Sequence, residues 1–93
     1  MKNIEIMTCN DGINGGGFHE IHNINCLQNI DHLIFMIDGI ILGNLKYNCR
    51  DSILKEVIVR LEDQDDVDYI NDYYKSNRVF SDILIRAEIK EEF

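Results

Sequence analysis

Along residues 2–8, Ile4 and Ile6 fall on one face of an extended segment and Asn3, Glu5 and Met7 on the other, so the chain is expected to open with a strand. Four glycines in the eight residues from Asn10 to Gly17 favour a loop, because glycine tolerates positive φ and weakens both helix and strand. Phe18, Ile21, Ile24, Leu27 and Ile30 recur at steps of three, which predicts a short helix over 18–31. His32–Ile37 and Ile40–Lys46 are two apolar runs separated by Asp38-Gly39, the preferred pair for a two-residue hairpin turn, and so predict a β-hairpin. Its first arm is apolar at almost every position, as in a strand covered on both faces.

Residues 52–63 fit a helical stripe through Ile53, Leu54, Val57, Ile58 and Leu61, but the β-branched run Val57-Ile58-Val59 favours a strand. Residues 65–77 place Val67, Ile70 and Tyr74 at steps of three and four, with acids in the first turn, and predict a helix. Ile83, Ile85, Ala87 and Ile89 alternate with polar positions, predicting a half-exposed strand over 81–90, and the tail Glu91-Glu92-Phe93 is expected to fray. The sum is an α+β fold, a small antiparallel or mixed sheet of four to five strands with one or two helices packed on it, in a single compact domain over 1–93. At 93 residues, a second core would leave neither half enough apolar surface to bury.

Composition narrows the function. The chain has 9 basic and 17 acidic residues, a net charge of -8. That disfavours direct binding to duplex nucleic acid or to anionic membranes, which depends on basic side chains. The longest apolar stretch, Leu33–Leu42, is interrupted by Asp38 and Gly39 and is too short to span a bilayer as a helix. Glu5 interrupts any signal-peptide pattern, so the mature chain is expected to begin at Met1. Cys9, Cys26 and Cys49 are odd in number and irregular in spacing, which suits free thiols in the cytoplasm.

Three constellations raise the question of chemistry. His19, His22 and Cys26 would share one face of the predicted helix, with Cys9, His32 or Cys49 as a fourth ligand, and these types suit zinc. The competing reading is surface histidines beside small buried thiols, since no Cys-x-x-Cys pair is present. The glycine loop could cradle a phosphate if a helix followed, although it lacks the P-loop ending and the full dinucleotide spacing. Cys9 could act as a nucleophile with His19 or His22 as base and Glu20 or Asp11 as orienter, but nothing in the spacing brings them together. No catalytic residue is assigned.

Charge placement is the sharper signal. Residues 62–93 carry 10 acids and 4 bases, against 7 acids and 5 bases in residues 1–61. Asp65, Asp68 and Asp72 would line one side of the 65–77 helix, and such neighbours destabilise one another by a few tenths of a kcal/mol. The ordinary explanation is a solvated face and a favourable helix dipole. The functional one is that Asp65, Asp66, Asp68, Tyr69, Asp72 and Tyr73 dock on a basic surface of a partner protein such as a nucleic-acid-handling enzyme, imitating a row of phosphates. Tyr74, on the Val67 and Ile70 face, is expected in the core.

In its small size, acidity and lack of a catalytic signature, the whole chain resembles small phage-encoded or immunity-type inhibitors, anti-CRISPR proteins among them. The resemblance is one of composition and implies an inhibitor acting by protein binding. The alternatives are a small metal protein or enzyme built on the Cys/His cluster, and an oligomeric interaction protein using a sheet edge.

Overall fold

A computed structural model describes residues 2–12, 15–48 and 52–91. Six elements follow in order: β1 (Lys2–Gly12), β2 (Gly17–Cys26), α1 (Ile30–Asn48), β3 (Ser52–Leu61), α2 (Gln64–Ser76) and β4 (Leu84–Ile89). The strands form one sheet in the order β2-β1-β3-β4. β1 runs antiparallel to both neighbours, and β3 and β4 are parallel. The fold is a small α+β domain with a four-stranded mixed sheet and two helices packed on it.

The predicted strands at 2–8, 52–63 and 81–90 and the predicted helix at 65–77 are all present. Two predicted elements are not, and the loop expected over 10–17 narrows, since residues 10–12 continue β1 and Gly17 opens β2. Residues 17–26 are a strand, because the turn from β1 brings them back along it in a register from Asp11↔Gly17 to Lys2↔Cys26, and ladder bonds outweigh a weak helical pattern. Within that turn Gly15 and Gly16 have φ of 90° and 76°, and Gly12 and Gly17 lie so close to backbone carbonyls that a Cβ on either would clash. Ile13 and Asn14 lie outside the described residues.

The second difference is larger: the predicted hairpin over 32–46 is the long helix α1. Asn29 starts it, its side chain accepting from His32 N–H at 3.0 Å and its carbonyl from Leu33 N–H. Asp31 in the first turn and Lys46 in the last complement the helix dipole. Leu33, Ile34, Ile37, Ile41 and Asn44 are buried, a helical spacing, and Asp38-Gly39 is mid-helix and not a turn. Asp38 instead accepts the Tyr74 hydroxyl at 2.7 Å, tying α1 to α2.

Both helices contribute to one core with Ile4, Ile6, Leu54, Val57, Val59, Leu61 and Ala87. The alternation of β1 is therefore one-sided, with Ile4, Ile6, Thr8 and Asn10 buried towards the helices. A buried polar cluster joins three elements on this side. The Asn10 and Asn44 amides donate to each other's carbonyl oxygens at 2.9 Å, and Asn10 also donates to the Ser52 hydroxyl. A reciprocal amide pair of this kind fixes the register of α1 on the sheet, because a one-turn slip would strand two buried amides.

Candidate functional site

The acidic segment begins where β3 ends. Asp63 caps α2, its carboxylate accepting from Asp65 N–H at 2.8 Å and its carbonyl from Val67 N–H, so this acid has a structural role. Val67, Ile70 and Tyr74 turn inward as the periodicity predicts. At 3.6 residues per turn, Asp65, Asp68, Tyr69 and Asp72 then share the opposite side, and all four are exposed, Tyr69 at 47%. Asp68 accepts from Gln64 Nε2 at 2.9 Å. Among the described residues, no ion pair involves Asp65, Asp68 or Asp72.

The other two residues of the proposed surface sit differently. Asp66 is half-buried on the flank of α2; burial first, then the negative charges of Asp63 and Asp65, push its pKa above the ordinary carboxylate value. Tyr73 packs against the core and meets Tyr74 edge to face, ring centroids 5.0 Å apart. The solvent-facing ridge is therefore Asp65, Asp68, Tyr69 and Asp72.

The zinc candidates lose their common helical face, because residues 19–26 are extended. On β2, His19 pairs with Cys9 on the sheet face away from the helices, while His22 pairs with Ile6 on the covered face. His22 approaches Glu20 at 3.8 Å. Among the described residues no three His, Cys, Asp or Glu side chains are grouped to hold a metal ion. Cys49 and the side chain of Cys26 lie outside them. Burial, then Glu56, raises the Cys9 pKa, the opposite of what thiolate chemistry needs. The glycine loop leads into β2 and not into a helix, so the helix N-terminus that the phosphate reading required is missing.

Two features escaped the sequence reading. On the sheet face away from the helices, Glu5, Arg60, Glu88, Arg86 and Glu56 form a chain of ion pairs across β1, β3 and β4, with contacts of 2.6, 2.8, 2.9 and 3.5 Å. Hydrogen bonds from Arg60 and Arg86 hold the Glu88 carboxyl below its ordinary pKa. The strand registers, Glu5↔Arg60 and Arg60↔Glu88, create this ladder, and no local pattern reveals it. The second is a cleft of about 500 Å³ at the C-terminal end of α2, where Lys55, Lys75 and Arg78 outnumber Asp82. The protein's surface thus carries an acidic α2 ridge and a separate, basic recess.

The architecture and ridge define a small α+β domain with a charged, exposed helix. No protein-family model, curated protein or solved structure matches the chain. No helix of the described residues is long and apolar enough to cross a membrane.

Proposed function

We propose that the protein is a non-catalytic cytoplasmic binding module, an inhibitor that occupies a basic surface of a nucleic-acid-handling enzyme or toxin. The observation that carries the reading is the α2 ridge. Asp65, Asp68 and Asp72 stand in a row beside exposed Tyr69, and none of the three is neutralised by an ion pair among the described residues. Carboxylates repeated turn by turn imitate a line of phosphates, and a tyrosine adds contact area at small entropic cost. Such binding speeds association at low salt and weakens as salt screens it.

The test is a pull-down from the native host with wild type and with Asp68→Lys/Asp72→Lys, at low and high salt. The reading requires a partner that is lost in the double variant, lost at high salt, and released by added nucleic acid. Circular dichroism of the variant should match wild type, because both positions face solvent. Recovery of the same partner by the folded double variant would overturn the proposal.

A second reading, association through a sheet edge, rests on β2. At β4 the outer edge is engaged at Ala87, where Asn71 donates to the C=O and accepts from the N–H. β2 is the other outer strand, ten residues with one acid and no Lys or Arg, and charged residues are what usually blunt such an edge. Asn23→Pro on β2 discriminates the two readings: it should remove strand-edge pairing and leave salt-sensitive capture intact.

A further inference from the structure

We propose that α1 is a self-association surface, through which two copies of this chain pair as an antiparallel, two-fold-symmetric dimer. The starting observation is the side of α1 turned away from the core. Asp31, Phe35, Gly39, Leu42 and Lys46 are all exposed, Phe35 at 76% and Leu42 at 57%. At 100° per residue they fall within an arc of about 80°, directly opposite the buried positions Leu33, Ile37, Ile41 and Asn44. Two large apolar side chains thus lie one above the other on a helix that already has a complete inner face.

The occupant follows from how the stripe is ordered. The midpoint between Asp31 and Lys46 is also the midpoint between Phe35 and Leu42, and it falls between Asp38 and Gly39. A two-fold axis through that point sets Asp31 of one copy against Lys46 of the partner subunit, and Phe35 against Leu42 of the partner subunit, each pairing made twice. This is the reciprocity that an isologous interface demands and that a heterologous partner does not. The two helix dipoles also run antiparallel. Gly39 lies at the crossing. A Cβ there would meet nothing within 4 Å, so packing among the described residues does not explain this glycine. It permits close approach of another backbone.

Charge allows the encounter. The chain carries -8, but Asp31 and Lys46 balance on this stripe, and the acidic ridge is on the other helix. A single helix face is smaller than the ~800 Å² per partner of a standard interface, which makes the dimer a weak, reversible one. This surface is independent of the α2 ridge, and its failure would leave the proposed function standing.

Sedimentation velocity on the full chain from about 1 to 500 μM tests it, with the expected result a reversible monomer–dimer equilibrium in that range. Phe35→Glu should leave a monomer of unchanged circular dichroism. Asp31→Lys and Lys46→Asp should each weaken self-association at least tenfold, while an equimolar mixture of the two should recover a heterodimer, because both pairings become attractive again. Gly39→Gln should raise the melting temperature of the dilute monomer and abolish the dimer. A monomer at every concentration overturns the proposal. So does a dimer that survives Phe35→Glu, as one paired through the β2 edge would, or single variants that stay monomeric when mixed.

Discussion

The two helices lie on one face of the same sheet, yet spend their residues differently. α2 buries Val67, Ile70 and Tyr74 and gives its outer side to carboxylates. α1 buries Leu33, Ile34, Ile37 and Ile41 and still exposes Phe35 and Leu42. Neither outer side is required by the core, and both carry a local cost: like charges at helical spacing on α2, and the interior Gly39, worth about 1 kcal/mol in helix propensity, on α1. Surplus acid on one helix and surplus apolar area on the other therefore point to two surfaces of different chemistry, one tuned by salt and one by burial.

The contrast between inner and outer sides breaks most sharply by truncation. Ile37→Ala and Ile70→Ala should each cost about 3 kcal/mol in urea unfolding, because both side chains are fully buried in the shared core. Phe35→Ala and Asp72→Ala, on the outer sides of the same helices, should stay within about 0.5 kcal/mol in dilute protein. A loss above about 2 kcal/mol at Phe35 would show that this side of α1 packs against the core.

How α1 is registered on the sheet is tested next. Asn44→Ala leaves the buried Asn10 amide short of its partner and should cost about 2 kcal/mol, whereas replacing Asn10 and Asn44 together by leucine should recover part of it. On α2 the equivalent anchor is the cap, and Asp63→Ala should cost about 1 kcal/mol.

The smallest effects concern two carboxylates with opposite linkage. Glu88 is held below its ordinary pKa by Arg60 and Arg86, so its contribution is present above about pH 4.3 and is lost as pH falls through the lowered folded value. Glu88→Gln should flatten the acid side of the stability profile. Asp66 is raised by burial and its acidic neighbours, so its contribution is present below about pH 3.9 and is lost as pH rises through the folded value. Asp66→Asn should therefore stabilise the protein at neutral pH by about 0.5 kcal/mol. Since Asp66 is half-buried, the same change should weaken partner capture less than Asp68→Lys does.

Legibility in the sequence followed the strength of the local pattern. In α2 the aliphatic residues fall on one side only, so period and ridge could both be read, including the inward placement of Tyr74. In residues 30–48 apolar residues occur all round the helix, so the period is masked, and Asp38-Gly39 imitates a turn. The signal that distinguishes the two was present in Asn29, whose side chain accepts from an N–H three residues on. In residues 18–26 the steps of three arose because Phe18 and Ile24 face the helices while Ile21 faces away, which a strand accommodates as readily as a helix. The zinc and phosphate readings both depended on that mistaken helix.

The sequence by itself determined the α+β class, β1, β3, α2 and β4, and the exposure of Asp65, Asp68, Tyr69 and Asp72, because each follows from periodicity or, for β3, from a β-branched run within about a dozen residues. Only the tertiary structure decided that residues 17–26 pair with β1, that 30–48 coil across the sheet, and that Glu5, Arg60, Glu88, Arg86 and Glu56 meet. These depend on partners tens of residues away, whose hydrogen bonds and buried area outweigh weak local preference.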